Sequence, residues 1–480
     1  MSILGAFAVP HPPIILPEVG NGEEKKIQAT TDAYYKVADE IARLAPETII
    51  VSSPHSIMYS DYFHISPGAG AKGNMGRFNA SSVSFDEEYD AELVDEILRL
   101  CKQSRQSIIE EESEIQDFPA GTLGERDSSL DHGTMIPLYF IKKRYRNFKL
   151  VRIGLSGLSL AMHYEFGKLI QKAVNNTGRR VVFVASGDLA HKMKEDGPYG
   201  FAKEAPEYDE SVMEVLGSAE FDRLLDFRSD FCEKAAECGH RSFVIMAGAL
   251  DGLSVKGEVL SHEATFGVGY GICRFTVGQE DNSRMFLDKW RLQKERELDD
   301  RISDSDPYVR LARYSLESYI VLGKRIGRED VKGSKWDDMP SDGYEQRAGV
   351  FVSIHKNGAL RGCIGTILPN CETLADEIMQ NAISAGTADP RFPAIEEEEL
   401  ESLEISVDVL NKPVPIDSAF QLDVKKYGVI VTSGRKRGLL LPNLDGVDTI
   451  EDQIAIACRK AGISEAEAYS LERFEVVRHL

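Results

Sequence analysis

The sequence predicts two domains of different class: an α/β first domain with a central mixed sheet flanked by helices, and an α+β second domain. Three observations carry this. At 480 residues the chain exceeds the roughly 250 to 300 residues at which single cores stop growing. Unbroken apolar β-rich runs alternate with helical stretches in the first half, as expected of a sheet covered on both faces. A dense run of mixed charges, from Gly278 to Asp306, then interrupts the pattern. The expected division is a first domain over 1–278, a charged linker over 279–305 and a second domain over 306–480.

In the first domain Leu4 to Val9, TIIVS (Thr48 to Ser52), LVRI (Leu150 to Ile153) and VVFVA (Val181 to Ala185) read as strands, and Tyr89 to Cys101 as a helix. FGVGYG (Phe266 to Gly271) is expected to ease strand packing rather than bind phosphate, since no helix follows it. After the linker, Pro307 to Ile326 reads as a helix with Asp306 as its N-cap and Pro307 in its first turn. Gly349 to Ile354, Leu403 to Leu410 and Gly428 to Thr432 read as strands, and Ile450 to Ala461 as a helix closed by Gly462. The acidic run Glu396 to Glu399 reads as a solvated helix start.

Composition excludes several classes of function. No apolar stretch approaches the roughly 18 to 20 residues that span a bilayer, so no membrane role is expected. The apolar opening MSILGAFAVPHPPIIL has no basic residue before Lys25 and is broken by Pro10, Pro12 and Pro13; it reads as a strand and loop rather than a signal peptide. A net charge of -22 argues against nucleic-acid binding, which needs clustered Lys and Arg. The seven cysteines are scattered without a CxxC pair, which fits a reducing cytoplasm.

The candidate chemistry lies in the first domain, which holds eight of the ten histidines. His11 follows a strand inside VPHPPI, where prolines stiffen the loop. His55 follows TIIVS in SSPHS, and His191 follows VVFVA in SGDLAH. Catalytic groups of α/β sheets gather at the carboxyl ends of strands, so the three are expected to converge. His132, in DHGTMIPLYF, and Glu237, in AAECGHRSF, complete the set. Two neutral imidazoles and one carboxylate form the facial arrangement that holds Fe(II) and leaves positions open; zinc tolerates the same ligands.

Taken in order, PHPP, the later PH, DHGTMIPL, SGDLAH and ECG resemble the LigB-type class III extradiol dioxygenases and the related Memo family over residues 1 to 275. The resemblance implies a metal held by His11, His55 and Glu237, His191 as general acid/base, and His132 beside substrate or oxygen. The Memo branch carries cysteine where the dioxygenases carry the carboxylate. Glu237 and Cys238 are adjacent here, and Cys238 is the alternative ligand, suiting copper or another softer ion. Asp188 is expected either to orient His191 or to approach the metal. The implied activity is opening of the phenolic or catecholic ring of a small aromatic substrate by a non-haem Fe(II) enzyme; the alternative is a non-enzymatic iron- or copper-binding protein or an adaptor.

In the second domain GALRGCIGTILP (Gly358 to Pro369) reads as a hairpin bend and strand, with Gly362 and Gly365 supplying either positive φ or close backbone approach. A functional reading makes Arg361, Gly362 and Cys363 a site, Arg361 as an anion or carboxylate clamp and Cys363 as a reactive thiol. With DPRFPAI and LLLPN, this run resembles the AMMECR family over residues 305 to 475, and the pairing of Memo-like and AMMECR-like domains implies a radical SAM partner protein.

Overall fold

Strands made almost entirely of apolar or small residues can be buried on both faces, and that is how the first-domain runs are used. In the computed structural model, which describes residues 2–103, 118–122, 129–293, 305–322, 325–332, 338–340, 343, 345–444, 446–464 and 467–480, the chain divides into units 1–293 and 294–480. The first contains strands β1 (Ile3–Val9), β2 (Thr48–Ser53), β3 (Gly70–Met75), β4 (Ala80–Glu88), β5 (Lys149–Gly154), β6 (Val181–Ser186), β7 (Leu253–Glu263) and β8 (Tyr270–Glu280). Its main helices are α1 (Gln28–Leu44), α2 (Ala91–Gln103), α3 (His132–Lys142), α4 (Leu160–Thr177), α5 (Glu204–Ser218) and α6 (His240–Ala249).

Among the described residues the main sheet is six-stranded, in the order β5-β2-β6-β1-β8-β7. β5, β2, β6 and β1 run parallel, while β8 and β7 extend the sheet antiparallel. The sheet is therefore mixed and helix-covered, as the sequence predicts. Alternation sends Ala6, Ala8, Phe183 and Ala185 to one face, against α4, α5 and α6, and Phe7, Val9, Val182 and Val184 to the other, against α1 and α3. A fully buried side chain such as Phe183 stabilises this sandwich by about 1.5 to 3 kcal/mol. β3 and β4 form a separate hairpin.

The expected linker starts inside the first unit. β8 runs to Glu280, Leu287 is fully buried in the core, and Trp290 Nε1 donates to Asp226 at 3.0 Å. Between Glu280 and Gln293 the charged residues are exposed or half-buried around the buried Leu287. Residues 294–304 of it lie outside the described residues.

The second unit is an antiparallel sheet with helices. Its main helices are α7 (Pro307–Leu322), α8 (Leu374–Thr387) and α9 (Ile450–Ala461). Its strands are β9 (Gly349–Lys356), β10 (Ala359–Gly365), β11 (Leu403–Leu410), β12 (Val414–Ile416), β13 (Tyr427–Ser433), β14 (Lys436–Leu440) and β15 (Ser470–His479). They pair as β10-β9-β11-β15-β13-β14 with β12 beside β15. Asp306 caps α7 by accepting the Tyr308 N–H at 2.9 Å, and Gly462 closes α9 at a φ of 66°. α7 ends by Leu322 rather than Ile326. No helix among the described residues is long and apolar enough to cross a membrane.

Candidate metal centre

β2, β6 and β1 are neighbours running in one direction, so their carboxyl ends open at one place. His55 follows β2, Asp188 and His191 follow β6, and His11 follows β1. The loop carrying His11 is pinned from both sides: Tyr34, on α1, donates its hydroxyl to the Pro10 carbonyl, and the His11 N–H donates to Asp188 Oδ1 at 2.6 Å. His55 Nε2 then lies 3.0 Å from His11 Nε2.

The tautomer of His11 follows from its neighbours. Ser186 has one hydroxyl proton and donates it to the Gly133 carbonyl at 2.6 Å. Toward His11 Nδ1, 3.0 Å away, the same oxygen can only accept, so the His11 proton sits on Nδ1 and the Nε2 lone pair faces His55. The Gly133 carbonyl is free for this because Pro137, four residues on in α3, has no N–H to return to it. The Pro of DHGTMIP thus helps set the donor atom of the His in VPHPPI.

The third group is Cys238, and not Glu237. Cys238 Sγ lies 3.7 Å from His11 Nε2, and the donor atoms of His11, His55 and Cys238 all fall within 4.8 Å of one another. Glu237 is turned away: its carboxylate accepts the His240 N–H at 2.6 Å and covers the start of α6. The structure brings Cys238, the alternative, rather than the expected Glu237 to the two histidines, and the reason is backbone packing. Gly187 and Gly239 lie so close that a side chain on either would strike the other's backbone, which presses the loop holding Cys238 against the end of β6. Asp188 N–H donates to Cys238 Sγ at 3.3 Å and fixes it there. Asp188 itself orients the His11 backbone and the thiol rather than bonding His191.

A tetrahedral ion with ordinary Zn–N and Zn–S lengths would set its nitrogen ligands about 3.3 Å apart and nitrogen and sulfur about 3.6 Å apart. The His11–His55 and His11–Cys238 separations, 3.0 and 3.7 Å, lie near those values, and all three donor atoms fall within 4.8 Å, so the residues present fit a metal. Burial keeps the imidazoles neutral, with His11 and His132 each pushed down to about 3 and His55 and His191 also lowered. Burial raises the Cys238 thiol well above its ordinary value. The thiol therefore ligates only when a cation's charge displaces its proton. Desolvation likewise raises Asp188 to about 6 and Glu237 to about 7.

Two more histidines line the centre. His132, the first residue of α3, packs 4.0 Å from His55 and 5.4 Å from His11 between ring centroids. Asp131 caps that helix by accepting the Thr134 N–H at 2.9 Å, and also accepts from Ser53 Oγ at 2.6 Å. The fully buried Arg152 lies 3.6 Å away and neutralises it. The His191 ring stacks on Tyr199, and its Nε2 is buried without a protein partner among the described residues. A cleft of about 790 Å³ reaches the centre, lined in part by His55, His132, Phe78 and Arg77. Ser53, Asp131, Arg152, Ser186 and Tyr34 carry no signal in their own segments; only the D-H-G-T order hinted at the cap.

The second-unit candidates are arranged differently. Gly362 and Gly365 serve close approach rather than positive φ: a side chain would strike the Ala385 carbonyl or the Phe351 ring. Arg361 clamps a carboxylate, but one of its own unit. Its Nε and Nη2 donate to the two oxygens of Glu399 at 3.0 and 2.8 Å. That pairing also corrects the reading of Glu396 to Glu399 as merely solvated. Cys363 accepts from Ser353 Oγ at 3.3 Å, beside the bidentate pairs Arg391–Asp389 and Arg478–Asp408.

Comparison with known proteins agrees with the division. Residues 5–273 match the family described as the catalytic LigB subunit of aromatic ring-opening dioxygenase, and residues 309–479 match AMMECR1. A protein of Clostridium acetobutylicum is 41% identical over all of this chain and 99% of its own length. A protein of Thermotoga maritima is 46% identical over 36% of this chain and 97% of its own. Among solved structures, an uncharacterised Pyrococcus horikoshii protein is 32% identical, with a TM-score of 0.32, over 36% of this chain and 88% of its own. An uncharacterised Escherichia coli K12 protein is 16% identical, with a TM-score of 0.38, over 56% of this chain and 99% of its own.

Proposed function

The chain belongs to the LigB family, in a form that carries a second, AMMECR1 domain, and from this premise we propose that its first unit is a Memo-like metal-binding protein, holding iron or copper through His11, His55 and Cys238. The observation that carries this reading is the thiol of Cys238 beside two Nε2 atoms, with the neighbouring carboxylate turned away. Thiolate with imidazole favours copper or a borderline ion over the all-hard sites of magnesium or calcium. When bound, the ion supplies Lewis acidity toward an oxygen of the ligand.

The chain's own residues do the rest. Ser186 holds the His11 tautomer, and Asp188 holds both the His11 backbone and the thiol. Anaerobic purification followed by metal analysis tests the assignment. Wild type and Glu237→Gln should carry near-stoichiometric metal, and Cys238→Ala and His11→Ala should carry little. Metal lost in Glu237→Gln but kept in Cys238→Ala would sink it.

A second reading, an Fe(II) enzyme opening a phenolic or catecholic ring, draws on His191. Its buried, unpartnered Nε2 stands where a base would take a proton from a phenolic oxygen and return it. Under that reading catechols give a coloured ring-fission product that His191→Ala does not form. No product across a panel of phenols, with iron bound, leaves the binding reading alone.

A further inference from the structure

We propose that the chain pairs with a second copy of itself along the outer edge of β7, in an antiparallel two-fold register centred on Gly257. The two edges of the six-stranded sheet differ. Beyond β5 the edge is covered: Ile65 bridges Ile153 and Tyr89 bridges Leu150, and the Ser66 and Asp90 N–H groups donate to the Arg152 and Leu150 carbonyls, each at 3.0 Å. Beyond β7 no strand or bridge follows among the described residues. An open edge offers a row of backbone donors and acceptors to any extended chain, and a further strand added there satisfies them.

What β7 presents along that edge is complementary to itself. Its pairing with β8 is regular from Val255 to Val259 and shifts register on either side, so Gly257 is the midpoint of the regular stretch. A second copy running the other way about Gly257 sets Lys256 opposite Glu258 and Val255 opposite Val259, and the two-fold axis repeats both pairs. Alternation puts the two charged pairs on one face of the joined sheet and the valines on the other. Lys256 and Glu258 are exposed, as is the apolar Val259, at 44%. Glu258 is held toward its own sheet by Arg274 of β8. A lysine in the middle of an edge deters strands that bring it no partner; the second copy brings the Glu258 carboxylate, so Lys256 selects its own kind. Gly257 lies so close to the Leu216 and Gly217 carbonyls at the end of α5 that a side chain there would strike them. The axis is therefore free of side chains, and the valines on either side can meet.

The test is sedimentation of the full-length protein over a concentration series. Wild type should show a reversible equilibrium between monomer and dimer. Lys256→Glu and Glu258→Lys each set like charges opposite one another twice across the axis. Each should weaken dimerisation by about tenfold or more, with circular dichroism unchanged. An equimolar mixture of the two variants should pair again, because one copy then brings two carboxylates to the axis and the other two ammonium groups. Repulsion at any other surface would not be relieved in this way. A monomer at every concentration, a dimer that either variant leaves intact, or a mixture as dissociated as its components would each overturn the proposal.

Discussion

The surroundings of Cys238 in the first unit and of Cys363 in the second hold similar chemistry and differ in how far it is matched. Around Cys363 each guanidinium meets its own carboxylate: Arg361 with Glu399, Arg391 with Asp389, Arg478 with Asp408. The Arg391 contacts hold the Asp389 carboxyl well below the usual range. Around Cys238 the imidazoles are neutral and crowded, with two Nε2 atoms 3.0 Å apart and the Nε2 of His191 buried without a protein partner among the described residues. Matched polarity holds a scaffold together. Unmatched polarity, which costs stability unless something external satisfies it, marks a place kept for a ligand.

The comparison breaks most sharply through the metal. His11→Ala or Cys238→Ala should lower metal affinity by at least about 100-fold, whereas Cys363→Ala should leave metal content unchanged, as read by elemental analysis. Next in size is Asp131→Ala, which strips a buried Arg152 of its charge partner and α3 of its cap. A loss of about 3 kcal/mol is expected from urea unfolding. Ser186→Ala should sharpen the contrast without unfolding the unit. It frees the His11 tautomer and should weaken metal affinity by about 10- to 100-fold, measured by chelator competition.

The smallest effect lies in the matched region and shows itself through pH. Burial would raise the Glu399 carboxyl, but hydrogen bonds from Arg361 and Lys356 prevail and hold it at about 2. A carboxyl depressed on folding contributes stability that is full above its unfolded value, about 4.3, and is lost as pH falls toward 2. Glu399→Gln should cost about 1 kcal/mol at neutral pH and flatten that acid dependence, as followed by thermal melts between pH 5 and 2. A Gln variant as acid-sensitive as wild type would place the pairing energy elsewhere.

Much of this was legible in the sequence. Strand-end histidines after β1, β2 and β6, the break into two domains and the covered sheet follow from apolar periodicity, because burial on both faces demands unbroken apolar runs. Other features were hidden for physical reasons. The linker's first residues fold onto the first unit through Leu287 and Trp290, anchors too sparse among charges to read as core. Arg361 announced a carboxylate clamp but not that its partner was Glu399, 38 residues away.

By itself, then, the chain determined which residues could serve: histidines on rigid loops at strand ends, and a Glu-Cys pair of which one member would face them. Only the tertiary structure decided that the member is Cys238. Adjacent side chains on an irregular loop point in different directions, and which one faces inward is set by contacts that no local pattern encodes. Here those contacts are the approach of Gly187 to Gly239, the Glu237 bond to the start of α6, and the grip of Asp188 on the thiol.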